Sequence, residues 1–248
     1  DEKTIYKLIN YKFDAIFHVA GQSSGEISFD NPVYDLQTNA QSTLLLLDLA
    51  LKTNCTKFIY ASTMYVYSAH GSFYRASKQC AEIIIEAYCD QFPLDYTLLR
   101  YGSLYGPRAQ KWNGLQKYVE QVVNKGRLDY RGTGKERREY IHVADAAILS
   151  VAVLENAYKN RAITVTGNQV LDSTTLIDMI FEIANVKYNA NFESANVDQS
   201  HYETTPYRYT PKTAMKIVPS EFIDIGQGIL DLVEAVSSEH HKSIPTEE

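Results

Sequence analysis

An α/β fold, a doubly wound parallel sheet, is what this sequence predicts, and three observations carry it. Short apolar and aromatic runs at 13–21, 57–61 and 94–102 read as strands buried on both faces. Long segments with apolar residues at helical spacing separate them, over Val33–Thr53 and from Tyr74 to Phe92. The first two runs end in small or hydroxyl residues, Ala20-Gly21 and Ser62-Thr63, where a parallel sheet lets a ligand approach its backbone.

In order, Glu2 to Asn10 reads as a short amphipathic helix on Ile5, Leu8 and Ile9, and Phe13 to Gly21 as a buried strand in which His18 is a packed core histidine. A loop over Gln22 to Asn31 leads through Pro32 into the long leucine-rich helix, which carries Asn39 in its first half. Lys57 to Ala61 is the second strand, and Thr63 stands at its C-terminal end. The following helix shows Ala76, Cys80, Ile83, Ile84, Ala87 and Tyr88 as an apolar stripe. Leu94 to Gly102 is the third strand, and Gly106-Pro107 a turn. Leu115 to Lys125 is amphipathic, followed by a helix over Ala144–Tyr158, a strand over Ala162–Val165 and a helix over Thr174–Ala184. Asn185 to Pro211 is irregular and tyrosine-rich, with Tyr202, Tyr207 and Tyr209; a last helix spans Gly226–Val236, and Ser237–Glu248 is a polar tail.

Composition narrows the function. At 248 residues the chain can bury a substantial core, and 45% hydrophobic with 22% charged residues is globular. No apolar run approaches the roughly 18 residues of a membrane span, so no membrane partner is expected. A formal charge of −6 with scattered lysines leaves no footprint for nucleic acid, and an anionic ligand must be held locally. Cys55, Cys80 and Cys89 are an odd number without metal-ligand or redox spacing: free thiols in a reducing, cytoplasmic setting, and no metal site. The 19 tyrosines offer phenols suited to stacking on bases and bonding to sugars.

Chemistry concentrates between Lys57 and Lys78. Tyr74 and Lys78 are four apart, hence on one helix face, beside a strand that ends in the Thr63 hydroxyl. An ammonium near a phenol stabilises the phenolate and brings proton transfer within reach of neutral pH.

The run Ala61-Ser62-Thr63-Met64-Tyr65-Val66-Tyr67 with its Tyr74-x-x-x-Lys78 helix resembles the extended short-chain dehydrogenase/reductase family, in particular its NAD-dependent nucleotide-sugar epimerases and dehydratases. Three more stretches are similar in the same order: His18-Val-Ala-Gly21; Asn39-Ala-Gln-Ser-Thr43, with Ser42 in place of glycine; and Arg100-Tyr101-Gly-Ser103-Leu-Tyr-Gly-Pro-Arg108, with Ser103 in place of asparagine. A fourth, Gly132-Thr-Gly-Lys-Glu-Arg-Arg138-Glu-Tyr-Ile-His-Val-Ala-Asp145, is similar to the family's diphosphate-binding segment.

The resemblance implies a Rossmann-like sheet with a smaller C-terminal substrate-binding lobe, residues 1–102 forming the C-terminal part of the dinucleotide-binding domain and 103–248 mainly the lobe, with 144–166 returning to the first domain. It implies catalytic Thr63, Tyr74 and Lys78; cofactor contacts at Ala20, Gly21, Asn39, Tyr74, Lys78 and Tyr101; and substrate contacts at Ser103, Arg108 and Arg138, with Arg208 a candidate second phosphate ligand. The cofactor implied is NAD, NADP being left open, and the assembly a homodimer through the helices 33–53 and 74–92. No Gly-x-x-Gly-x-x-Gly loop is present, so the first two strand-helix units of the family are expected to be missing and the natural protein to be longer. The Thr63–Tyr74 connection is likewise short, and residues are expected to be missing from it.

Within the family, dehydratases carry an acidic pair where this chain has Met64-Tyr65, which cannot ionise for that work near neutral pH. The expected function is therefore epimerisation of a nucleotide-activated sugar through a transient keto-sugar. A reductase or dehydrogenase of the same family is the second reading, and a non-catalytic ligand sensor the third.

Overall fold

The structure, a computed structural model, describes residues 2–68, 71–167 and 170–193. In chain order the strands are Ile16–His18 (β1), Lys57–Thr63 (β2), Asp95–Tyr101 (β3), Ser103–Tyr105 (β4), Leu128–Arg131 (β5), Arg137–His142 (β6), Arg161–Val165 (β7), Val170–Asp172 (β8) and Ala190–Glu193 (β9). The α-helices are Glu2–Ile5 (α1), Gly25–Asp30 (α2), Pro32–Leu36 (α3), Ser42–Lys52 (α4), Ser72–Gln91 (α5), Gly114–Lys125 (α6), Val143–Ala152 (α7) and Ser173–Ile183 (α8).

The main sheet has the order β1-β2-β3-β7, every pair parallel, and it is doubly wound and Rossmann-like. Successive residues of β2 serve opposite faces. Phe58 and Tyr60, with Leu98 of β3, pack on Leu47 and Ala50 of α4 and on Ala81 and Ile85 of α5. Ile59, with Leu99 and Val165, packs on Ala146 of α7, Ile141 and Val153. With helices on both sides the central strand β2 has no wet face, which is why residues 57–61 read as an unbroken apolar run rather than an alternating one. Each such fully buried side chain contributes roughly 1.5–3 kcal/mol.

The second part of the chain builds two smaller sheets. β4 pairs parallel with β6, which pairs antiparallel with β8; β5 pairs parallel with β9. Val122 of α6 and Leu176, Ile177, Ile180 and Phe181 of α8 close over Leu128 and Tyr130 of β5.

Several element boundaries differ from the sequence expectation, each for a local reason. The first strand is only Ile16–His18; it is an edge strand of the described sheet, with Phe17 38% and Val19 66% exposed. The opening helix shrinks to α1 and a 3₁₀ turn at Tyr6–Leu8. The expected loop over 22–31 contains α2, because the Ser24 hydroxyl accepts the Ile27 N–H and caps a new helix. α3 then restarts with Asn31 as cap and Pro32 in the first turn. The long leucine-rich helix is not uniform: Gln37–Gln41 is a π-helical turn between α3 and α4. Helix 144–158 ends at Ala152, with a separate 3₁₀ turn at Asn156–Tyr158. Ala190–Glu193, expected to be irregular, is a strand because β5 offers it a parallel partner. Arg208, Tyr202, Tyr207, Tyr209, the helix 226–236 and the tail 237–248 lie outside the described residues.

Candidate active site

Thr63 is the last residue of β2, 6% exposed, and its hydroxyl accepts the Tyr65 N–H at 3.2 Å, starting a 3₁₀ turn over Met64–Tyr67. Tyr74 sits in the first turn of α5, half-buried, its ring edge-on to that of Tyr65 at 5.9 Å between centroids. Lys78 follows one turn later on α5, 5% exposed, donating from Nζ to the Ala61 carbonyl at 2.9 Å and lying 4.8 Å from the centre of the Tyr60 ring. The strand end and the helix start are thereby joined at two points flanking Thr63: at Ala61 through Lys78, and at Tyr65 through Tyr74. Burial pulls the Lys78 ammonium down to about 8, against the opposing pull of the Asp35 and then the Glu82 carboxylates. It is still predominantly charged at neutral pH.

Asn39 lies in the π turn and is 1% exposed. Its Oδ1 accepts the Gln22 N–H at 2.9 Å, while Nδ2 faces the Gln22 carbonyl at 3.0 Å, Ser77 Oγ at 3.0 Å and Asp35 Oδ1 at 3.2 Å. One side chain so ties the loop after β1 to the residue preceding Lys78. π turns are rare and recur at functional sites. Gly21 closes this corner: a Cβ there would stand 2.7 Å from Asn39 Oδ1 and 3.4 Å from Lys78 Nζ. Asn39 is too firmly bonded to yield, so Gly21→Ala is expected to cost about 1–3 kcal/mol as an overpacked variant, read as a lowered urea midpoint.

Behind Thr63 a buried clamp holds the strand ends. Arg100 of β3 donates from Nε and Nη2 to the two Glu82 oxygens at 3.0 and 2.6 Å, Ser62 donates to the same carboxylate at 2.5 Å, and Arg100 Nη1 reaches the Tyr67 hydroxyl at 2.5 Å. His18 is packed as expected, 3% exposed, with Nε2 3.0 Å from Thr43 Oγ1 and its ring against Phe58 and Tyr60. Burial, with the Lys78 charge adding to it, lowers its pKa to about 4, so the imidazole is neutral at physiological pH.

The other expected contact residues are spread more widely. Ala20 and Gly21 are exposed at the C-terminal end of β1. Tyr101, opposite Thr63 in the β2–β3 register, shares its hydroxyl with Ser150 of α7 at 2.5 Å. Ser103 begins β4 and is half-buried; Arg108 is exposed with φ +65°. Arg138 lies half-buried in β6 opposite Leu171, and its charge acts on the half-buried Tyr118 phenol of α6.

The segment before Arg138 is set by a residue the sequence reading passed over. Glu136 is 6% exposed and accepts from the Thr133 N–H at 2.7 Å, Thr133 Oγ1 at 2.8 Å, the Gly134 N–H at 2.9 Å and the Tyr130 hydroxyl at 2.9 Å. Gly132 and Gly134, with φ +154° and +82°, form a turn between β5 and β6 and no dinucleotide loop. Burial pushes the Glu136 carboxyl up, but these donors outweigh it and hold it at about 2, against 4.5 ordinarily. A depressed carboxylate stabilises the fold above its unfolded pKa and loses that contribution as pH falls. The gap in unfolding free energy between the parent protein and Glu136→Gln is therefore expected to be full above pH 5 and to close between about 4.5 and 2, by urea titration at each pH.

Residues 1–166 match the NAD dependent epimerase/dehydratase family. The chain belongs to that family. It is 25% identical over 166 residues to the UDP-glucuronate 4-epimerase of Thermodesulfobacterium geofontis, covering 62% of this chain and 51% of that protein. It is also 25% identical over 190 residues to the dTDP-glucose 4,6-dehydratase of Streptomyces griseus, covering 71% of this chain and 58% of that protein. This family member thus spans about half the length of these relatives. The fold matches the UDP-glucuronic acid 4-epimerase of Bacillus cereus, solved with UDP-glucuronic acid and NAD, at a TM-score of 0.76 and 22% identity, covering 86% of this chain and 76% of that one. The family cofactor is NAD. The described residues fit it in one respect: the exposed Gly21 backbone, beside Asn39 and Lys78, carries no side chain to stand between it and a ligand.

Among the described residues no helix is long and apolar enough to cross a membrane, and no group of acidic, histidine and cysteine side chains could hold a metal ion. Cys55, Cys80 and Cys89 are free thiols; burial raises Cys89 to about 12.

Proposed function

We propose that this protein is an NAD-dependent epimerase that acts on a nucleotide-activated sugar through a transient keto-sugar. The observation that carries the reading is the buried Lys78 ammonium, fixed to Ala61 beneath the end of β2 and one turn along α5 from Tyr74. In this reading the Tyr74 phenolate oxygen takes the proton of the sugar hydroxyl, the Lys78 ammonium stabilises that phenolate and holds the cofactor ribose, and the Thr63 hydroxyl bonds the reacting oxygen. NAD, when bound, would supply the hydride chemistry for this oxidation and for its reversal on the other face of the ketone. Ala20, Gly21, Asn39 and Tyr101 line the cofactor side; Ser103, Arg108 and Arg138 lie on the substrate side, guanidinium groups suiting the diphosphate by their forked donors.

Dehydration is disfavoured by the residues after Thr63. Met64 is fully buried and the Tyr65 ring packs on Tyr74, so no carboxylate stands there to remove a carbon-bound proton. A homodimer through the long helices is part of the proposal, supported by the exposed Val33, Leu36, Leu44, Phe73 and Ile83 on α3, α4 and α5.

Incubating the full-length protein with UDP-, dTDP- and CDP-sugars tests the reading. Interconversion of two isomers without net consumption of cofactor is expected. Net oxidation of NADPH would replace the epimerase by a reductase, and binding without turnover of any sugar nucleotide would replace it by a ligand sensor.

A further inference from the structure

Asp35 of α3 is 0% exposed, and its two oxygens are unlike each other. Oδ1 accepts from Gln22 Nε2 at 2.8 Å and from Asn39 Nδ2 at 3.2 Å, whereas the buried Oδ2 has no hydrogen-bond partner among the described residues. Gln22 Oε1 is itself occupied by the Ser24 N–H, which fixes the amide orientation that presents Nε2 to Asp35. A buried ionised carboxylate with an unbonded oxygen is costly, and removing its counter-charge costs more. No ion pair reaches Asp35 directly among the described residues. Asp35 and Lys78 border one polar cluster: Asn39 bonds both Asp35 and Ser77, the residue before Lys78, and a Cβ on Gly21 would stand within 3.4 Å of both Asn39 Oδ1 and Lys78 Nζ.

We propose that Asp35 is a positioning residue of the site, the buried counter-ion that keeps the Lys78 ammonium charged and in place. The inference rests on the role given to Lys78 above. Among the described residues, the titratable groups that bear on Lys78 are His18, Tyr60, Tyr74, Glu82 and Asp35. His18 of β1 is neutral, and Tyr60 of β2 presents its ring face, its hydroxyl kept protonated by burial. Tyr74 is the proposed reacting phenol. Glu82 of α5 has both oxygens committed to Arg100 and Ser62, so its charge is already answered. Of these two carboxylates, only Asp35 has no cation in contact with it among the described residues, and it weighs on Lys78 more than Glu82 does.

Asp35→Asn in the full-length protein tests this, because the amide oxygen can still accept from Gln22 and Asn39 while the charge is gone. The titration of Lys78 is followed by ¹³Cε NMR in lysine-labelled protein, the signal assigned by its loss in Lys78→Arg. The midpoint is expected to fall by about one unit on removal of a neighbouring anion, and the alkaline limb of the kcat profile to move towards neutrality by the same amount, with KM changing less than kcat. An unmoved Lys78 midpoint would overturn the proposal whether or not the protein turns over a sugar. A shifted midpoint in a protein that turns over no sugar nucleotide would support the pairing and sink the epimerase reading. Should Asp35→Asn fold too weakly to titrate, Asp35→Asn/Lys78→Met decides: an unfolding midpoint recovered above that of Asp35→Asn supports a coupled pair, and additive losses overturn it.

Discussion

Tyr74→Phe lowers turnover by about 10²–10⁴-fold, the usual range for removing a positioned acid–base group, while the urea midpoint moves little. The separation follows from where the residue sits. The ring stands edge-on to Tyr65 at 5.9 Å, and phenylalanine keeps that contact and the first turn of α5 intact. Only the hydroxyl leaves, from a half-buried position where a lost hydrogen bond costs about 0.5–1.5 kcal/mol. Steady-state kinetics on the interconverted sugar pair, run beside denaturation of both proteins, checks it. Activity within ten-fold of the parent would remove Tyr74 from the chemistry.

Glu82→Ala destabilises the fold by about 3–5 kcal/mol, because it strands the Arg100 guanidinium, whose side chain is 17% exposed, in a site built for a bidentate carboxylate. Ser62 loses its acceptor in the same step, and it is the residue before Thr63. Urea unfolding gives the size; the double variant Glu82→Leu/Arg100→Met discriminates the cause. Removing both charges returns much of the lost stability if the stranded guanidinium is the penalty, and returns none if the loss is simply a cavity on α5.

The two predictions lie on either side of what the sequence made legible. Thr63, Tyr74 and Lys78 could be placed in advance because a fully buried strand and an amphipathic helix leave strong local signals, and the i,i+4 spacing fixes which side chains share a face. The partners that hold them could not. Asp35 and Asn39 are four apart, as are Lys78 and Glu82, but helical spacing says nothing of the Gln22, Ser77 or Arg100 side chains that meet them across the fold. Glu136 looks like part of a solvated basic turn until the backbone N–H groups of Thr133 and Gly134 are seen to converge on it. β9 was invisible for the same reason, since its partner β5 lies about sixty residues earlier and parallel pairing has no local signature. α2 is a different failure: Ser24 and Asn31-Pro32 are ordinary start signals, only too closely spaced to suggest two short helices instead of one loop.

The widened turn at Gln37–Gln41 lets one continuous rod offer Asp35 and Asn39 to the polar cluster and Leu47 and Ala50 to the sheet. Losing a single residue there would restore ordinary periodicity and rotate one half of the rod by about 100° against the other. That segment should therefore accept changes of residue type at its exposed glutamines, Gln37 and Gln41, yet reject any change of length.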